Sequence, residues 1–205
     1  GFETLPEVNE DTPSYRKFVC GEGGVIGTWL RRGASGFRLD VADELPDDFI
    51  EELRKAVKAH GADKLLLGEV WEDATTKIAY DRRRTYLMGK GLDCVMNYPF
   101  RNAVMDFLHG VPSEEVADRI LSICENYPAP ALHCLMNFLS THDTERAITA
   151  LAGEPAGNHD RYWQSGRRLN AEQYERGIQM LKMAYAMIFT LPGVPSIYYG
   201  DEIAM

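Results

Sequence analysis

Three acidic residues stand at the ends of apolar runs. Asp40 closes Gly-Phe-Arg-Leu-Asp, Glu69 follows Leu-Leu-Leu-Gly, and Asp143 follows Phe-Leu-Ser-Thr-His. A carboxylate in such a place is unfavourable unless it is paired or used. In parallel α/β architectures the C-terminal ends of strands are where catalytic groups gather. Arg38 and Asp40 are two apart, so in a strand their side chains point to the same side. An arginine there keeps its neighbour ionised, as a carboxylate nucleophile must be. Each acid taken alone reads equally well as a helix N-cap or a surface ion pair. Three of them on three strands, each with a polar neighbour, point to a site. Two carboxylates in unlike surroundings suit glycoside hydrolysis.

The elements that would carry these residues alternate in type. Thr12-Pro13 reads as a helix start, and Tyr15, Phe18, Val19, Ile26, Trp29 and Leu30 recur at helical spacing. Residues 36–41 read as a strand. Asp47-Asp48 then suit the positive end of a helix that buries Phe49, Ile50, Leu53 and Val57, with Gly61 where a cap belongs. Residues 64–70 form a compact apolar run, the mark of a strand buried on both faces. A polar stretch at 73–87 reads as helical, 92–97 as a strand, and 100–108 and 114–124 as helices. Residues 132–139 read as a strand, 144–151 as the start of a helix and 153–170 as a polar loop. A long helix over 171–190 precedes a last strand at 194–199. The fold class is therefore α/β: five parallel strands with helices between them and right-handed crossovers. The pattern suits a doubly wound sheet or part of a (β/α) barrel. A Rossmann sheet is disfavoured because no Gly-x-Gly-x-x-Gly follows a strand.

Composition narrows the function classes. The 205 residues carry 22 basic and 31 acidic side chains, a net charge of −9, which argues against a nucleic-acid partner held through phosphates. No run approaches the ~18 apolar residues that would span a bilayer, so no membrane partner is expected. Neither an initiator Met nor a signal-peptide pattern is present, as in an excised piece or a mature product. Cys20, Cys94, Cys124 and Cys134 have no metal or redox spacing, and their apolar neighbours predict free thiols. That fits a reducing compartment and slightly favours the cytoplasm. No histidine cluster has metal-ligand spacing.

At the acidic positions the sequence resembles the α-amylase family, glycoside hydrolase family 13. Gly36-Phe-Arg-Leu-Asp-Val-Ala-Asp-Glu44 resembles the family block on barrel strand four, and Gly68-Glu-Val-Trp71 the block on strand five. Asp93-Cys-Val-Met-Asn-Tyr-Pro-Phe100 is similar to the strand-six region. Phe138-Leu-Ser-Thr-His-Asp143 and Gly193-Val-Pro-Ser-Ile-Tyr-Tyr-Gly-Asp-Glu202 resemble the blocks on strands seven and eight. Five blocks in the family's order make a specific match. The resemblance implies a partial TIM (β/α)8 barrel: residues 1–205 as the C-terminal portion of the catalytic barrel, from the helix before strand four through strand eight. The rest of the barrel, the inserted domain and a C-terminal β domain would lie outside it.

The resemblance also implies roles. Asp40 matches the nucleophile, Glu69 the general acid/base, and Asp143 the third carboxylate, which binds sugar hydroxyls. Arg38 and His142 match residues that contact the nucleophile and the sugar. The implied reaction is retaining, with the carboxyls of Asp40 and Glu69 about 5–5.5 Å apart, and Glu69 must arrive protonated. Val41-Ala-Asp-Glu44 and Thr144-Glu-Arg146 look like neopullulanase and cyclomaltodextrinase sequences. Leu5-Pro-Glu-Val-Asn9 resembles the short block before strand four, departing from the usual Met-Pro-Lys-Leu-Asn form. Glu44 and Arg146 are candidate acceptor-side contacts, or equally an ion pair at a loop. Trp71 and Tyr98 are candidates for stacking on sugar rings, with packing in the barrel wall the commoner alternative for each. Tyr198 and Tyr199 are expected on opposite faces of the last strand.

The implied substrates are α-1,4-linked glucans: starch-like maltooligosaccharides, pullulan or cyclodextrins. The alternatives are a transglycosylase or α-1,6-glucosidase of the same family, and a non-catalytic carbohydrate-binding relative. No cofactor is implied for this segment, although many family members bind calcium. Five strands alone have two open edges. The isolated segment is thus expected to self-associate through them or to form a marginal sheet, and to be inactive by itself.

Overall fold

A computed structural model describes Thr4 and residues 8–205. Residues 5–7 of the Leu5–Asn9 block lie outside the described residues. The chain divides into two compact units, residues 1–96 and 97–205.

The first unit opens with two short helices, α1 (Pro13–Cys20) and α2 (Val25–Arg31). The periodicity predicts one helix here. Gly21, Gly23 and Gly24 interrupt it, because glycine costs about 1 kcal/mol in a helix interior relative to alanine. Strand β1 (Gly36–Leu39) follows, then a 3-10 turn over Ala42–Glu44 and helix α3 (Asp47–Lys58). The helix buries Phe49, Ile50, Leu53 and Val57 as predicted, with acids in its first turn and Lys55 and Lys58 in its last. Strand β2 (Leu65–Gly68) pairs in parallel with β1, in the register Gly36↔Leu65 through Leu39↔Gly68.

The predicted helix over 73–87 is absent. Asp73 Oδ1 instead accepts from the Thr75 N–H (2.8 Å) and hydroxyl (2.6 Å), a local bond that competes with helix formation. A two-stranded antiparallel hairpin replaces it, β3 (Ile78–Ala79) and β4 (Arg82–Arg83). Its turn residues Tyr80 and Asp81 are both left-handed, at φ 53° and 58°, which is the backbone of a tight two-residue hairpin. Strand β5 (Cys94–Val95) then pairs in parallel with β2, giving the order β1-β2-β5.

The second unit is mostly helical. It contains α4 (Tyr98–Leu108), α5 (Ser113–Asn126) and α6 (Ala129–Leu132). Strand β6 (Met136–Asn137) is followed by α7 (Ala147–Ala152) and α8 (Arg161–Gly166). The unit closes with α9 (Ala171–Thr190) and β7 (Val194–Pro195). The strand expected over 132–139 is shorter because Pro128 caps the helical turn of α6, so only Met136 and Asn137 join the ladder. They pair in parallel with Val194 and Pro195. Helix α9 runs over the predicted span and starts in a capping box of Asn170 with Gln173. The loop expected over 153–170 contains α8, capped by Asp160, whose side chain accepts from the Trp163 N–H at 2.8 Å. All four cysteines are free thiols. Among the described residues no helix is long and apolar enough to cross a membrane.

One buried carboxylate ties α3 to the sheet of the first unit. Asp93 accepts from Arg54 Nη1 (2.7 Å) and from the Leu66 N–H (2.8 Å), and Lys58 Nζ lies 2.9 Å from it. Burial alone would raise its pKa, but Lys58, the Leu66 N–H and Arg54 together hold it below the ordinary value. A depressed carboxylate stabilises the fold above its unfolded value of ~3.9, and loses that contribution as pH falls through the lower folded value. Asp93→Asn should therefore destabilise the chain by about 1–3 kcal/mol at neutral pH. The gap to wild type in urea-unfolding midpoints should close as pH falls below ~4.

Candidate active site

The register of β1 and β2 fixes where the first two acids fall. The last paired positions are Leu39 and Gly68, so Asp40 and Glu69 leave adjacent strands at the same level. Backbone bonds carry the ladder past them, from the Glu69 N–H to the Leu39 carbonyl (2.9 Å) and from the Ala42 N–H to the Glu69 carbonyl (3.1 Å). Gly68 is tightly packed. A Cβ there would stand 2.3 Å from Leu92 Cδ1 and 3.3 Å from Ala42 Cβ.

Arg38 joins the two acids. Its Nη1 donates to Asp40 Oδ1 at 2.5 Å, its Nη2 lies 2.9 Å from Glu69 Oε2, and its Nε donates to Met96 Sδ at 3.4 Å. The acids differ in surroundings. The Asp40 side chain is 73% exposed, and that of Glu69 only 5%. Glu69 does not face an apolar wall. Oε2 also accepts from the Val41 N–H at 2.9 Å, and Oε1 from Trp71 Nε1 at 3.0 Å. Val41 has φ 43°, a left-handed backbone that a β-branched residue rarely adopts. The strained turn places its N–H on Glu69, as is common at functional sites. Trp71 is 48% exposed beside the buried acid.

The turn after Asp40 is clamped by the β3–β4 hairpin and the residues after it. The Tyr80 hydroxyl donates to Glu44, which is bound this way rather than in an ion pair. Asp43 accepts from the Tyr86 hydroxyl at 2.6 Å and faces Lys77 Nζ at 2.9 Å. Burial, and Asp43 as acceptor, push the Tyr86 phenol well above its usual range. Arg84 donates to Asp47 and to the carbonyls of Asp43 and Leu45. Sequence reasoning missed this clamp because it read the segment as a helix.

In the second unit, the residues from Phe138 to Thr141 are buried and the chain then emerges, exposing His142 and half-exposing Asp143. His142 Nε2 and Asp143 Oδ2 are 3.1 Å apart. The turn is closed by Thr144 Oγ1, which accepts from the Thr141 N–H at 2.8 Å, and by Thr141 Oγ1, which accepts from the Asp143 N–H at 3.1 Å. Its anchor is Asp201, a buried acid for which the sequence suggested no role. Asp201 accepts from Ser140 Oγ (3.0 Å) and from the Tyr185 hydroxyl (2.9 Å), and Ser140 Oγ in turn accepts from the Ala147 N–H (2.8 Å). Its place in the Gly200-Asp-Glu202 stretch was the available signal.

Arg146 is engaged rather than free. It donates to the Tyr199 carbonyl, and its guanidinium lies 5.0 Å from the Tyr198 ring and 4.4 Å from the Tyr199 ring. The two tyrosines therefore do not split between strand faces. Strand β7 ends at Pro195, and in the turn beyond it the two rings lie 4.8 Å apart over a shared cation. Tyr98 is not a stacking platform. It is 2% exposed and meets Phe138 edge-on at 4.8 Å, so its ring has no open face. Among the described residues no group of three or more His, Cys, Asp or Glu side chains is arranged to hold a metal.

A family model described as "Alpha amylase, catalytic domain" matches residues 1–205, and the chain belongs to that family. It is 31% identical over 204 residues to a cyclomaltodextrinase of Geobacillus thermopakistaniensis, covering 98% of this chain and 29% of that protein. It is also 31% identical over 203 residues to neopullulanase 2 of Thermoactinomyces vulgaris, with the same coverages. Such relatives fit the neopullulanase-like subgroup that the motifs suggested. A cyclic α-maltosyl-(1→6)-maltose hydrolase of Arthrobacter globiformis, solved in complex with maltose, superposes with a TM-score of 0.75 at 28% identity. That match covers 96% of this chain and 38% of the solved one. The chain thus spans less than a third of the length of these two curated relatives.

Asp201 yields a pH signature opposite to that of Asp93. Burial raises its pKa, outweighing the bonds from Ser140 and Tyr185 and the attraction of Arg146. The folded state therefore takes up this proton first. Stability should rise as pH falls through the raised folded value towards the unfolded ~3.9. Asp201→Asn should lack that rise. Urea midpoints measured from pH 7 downward should show wild type gaining on the variant until pH ~4.

Proposed function

We propose that the protein carrying this segment is a retaining hydrolase of α-1,4-glucans such as maltooligosaccharides, pullulan or cyclodextrins. The observation that supports it most is the single guanidinium of Arg38 forking between Asp40 and Glu69 on adjacent strand ends. A shared fork favours the short carboxyl spacing of a retaining enzyme.

Asp40, the exposed member, is the nucleophile. A carboxylate oxygen attacks the anomeric carbon as the bond to the leaving oxygen breaks, and Glu69 supplies the proton to that oxygen. Glu69 then takes a proton from water, whose oxygen displaces Asp40 from the sugar. Arg38 aims Asp40, Trp71 beside Glu69 is a sugar contact, and Glu44, held by Tyr80, is an acceptor-side contact. In the second unit, the resemblance assigns Asp143 the binding of sugar hydroxyls and His142 a sugar contact. Arg146 acts by holding the turn at Tyr198 and Tyr199. The five strands correspond to barrel strands four to eight.

The test is stereochemical. Turnover of maltotriose followed by NMR should show the α-anomer appearing first, and Asp40→Asn should lower the rate by at least about 10³-fold. A β-anomer as first product, or an Asp40→Asn variant of unaltered rate, would overturn the assignment. On pullulan, cleavage of α-1,4 bonds should release panose, whereas maltotriose as product would assign α-1,6 specificity.

A further inference from the structure

A cavity for which the hydrolase reading has no use lies between α7, the segment before α9, the first turn of α9 and Ala204 and Met205. Its volume is about 520 Å³. Ile148, Leu169 and Tyr174 give it an apolar wall, and Arg146, Arg167 and Arg168 give it a basic one. This basic wall sits in a chain whose net charge is −9.

Arg167 is the unusual member. Its side chain is only 8% exposed. Nη1 donates to Glu145 Oε2 at 2.8 Å, and the guanidinium lies 5.4 Å from the Trp163 ring. Nε and Nη2 are buried and have no hydrogen-bond partner among the described residues. An arginine cannot shed its charge to escape such a position, and buried donors without acceptors are unfavourable. Nε and Nη2 form one edge of the guanidinium. That edge meets a carboxylate or phosphate through two parallel N–H···O bonds. Glu145 balances Arg167, and Asp201 Oδ1 lies 3.9 Å from Arg146 Nη1, which leaves Arg168 without a carboxylate partner among the described residues. Arg146 is turned to the Tyr199 carbonyl, and Arg168 Nη1 donates to the carbonyls of Ser165 and Arg167. The size and the apolar wall suit the organic body of a small ligand.

We propose that this cavity binds a small organic oxyanion, a carboxylate or a phosphate monoester, gripped by the Nε–Nη2 edge of Arg167. That edge packs over Gly153, where a Cβ would lie 2.9 Å from Nη2. Binding therefore includes a turn of the guanidinium from Gly153 toward the cavity while Nη1 stays on Glu145. The site is separate from glycoside turnover, so it stands or falls independently of the hydrolase assignment.

The experiment uses the 205-residue chain and three probes, inorganic phosphate, glucose 1-phosphate and benzoate, with ionic strength held constant by chloride. Thermal melting should rise saturably with at least one probe, and the Arg167 Nε–H resonance should shift along the same binding curve. Benzoate against the two phosphates distinguishes a carboxylate from a phosphate ligand. Arg167→Gln should weaken binding by about tenfold or more. Arg167→Lys keeps the charge and loses the two-donor edge, so it should weaken binding comparably. Melts without anion confirm that both variants fold. Absence of a saturable response to all three probes, or an Arg167→Lys variant that binds like wild type, would overturn the proposal.

Discussion

A guanidinium shared between two carboxylates is the interaction on which the candidate site depends. Glu69 is nearly sealed from water, and a carboxylate so placed is strongly unfavourable unless charge and donors surround it. Arg38 supplies the charge, while the Val41 N–H and the Trp71 indole supply donors. Each depends on backbone geometry. Arg38 reaches both acids because β1 and β2 pair with Leu39 level with Gly68. A slip of one residue would turn Arg38 to the opposite face of the sheet. Val41 reaches Glu69 only through its left-handed backbone. The hairpin, Tyr86 and Arg84 then hold the turn that contains this strain, through bonds to Asp43 and Glu44 and to the carbonyls of Asp43 and Leu45.

The second unit solves a related problem differently. Asp201 is also buried, but its close donors are the neutral hydroxyls of Ser140 and Tyr185, with Arg146 at 3.9 Å. Burial therefore raises its pKa despite those donors, whereas the pKa of Asp93, ringed by Lys58 and Arg54, falls. Asp201 organises the turn that presents His142 and Asp143 by fixing Ser140, which also receives the first free N–H of α7. Acids in this protein thus share one guanidinium at Asp40 and Glu69 and serve as framework at Asp93 and Asp201.

Much of this was legible in the sequence, for local reasons. The apolar run ending at Glu69, the Arg-x-Asp spacing of β1 and the amphipathic pattern of α3 each specify an element without distant partners. The long helix α9 was legible for the same reason. What could not be read depends on tertiary contact or on competition between weak preferences. The break between α1 and α2 follows from three glycines outweighing apolar periodicity. The β3–β4 hairpin arises where Asp73 and the Thr75 hydroxyl and N–H outcompete a helix. Tyr98 has the right residue type for sugar stacking, but Phe138 covers it, and nothing in the sequence brings those two rings together. The pairing of Asp201 with Ser140 spans 61 positions and left no local trace.

The claim that Arg38 makes Asp40 and Glu69 one electrostatic unit is tested most directly by a double-mutant cycle on stability. Arg38→Met should destabilise the chain, because it leaves the buried Glu69 beside a second carboxylate without a counter-charge. Adding Glu69→Gln to that variant should then recover part of the loss, about 1 kcal/mol or more, whereas the same change in wild type should destabilise. Equal destabilisation by Glu69→Gln in both backgrounds would contradict the account.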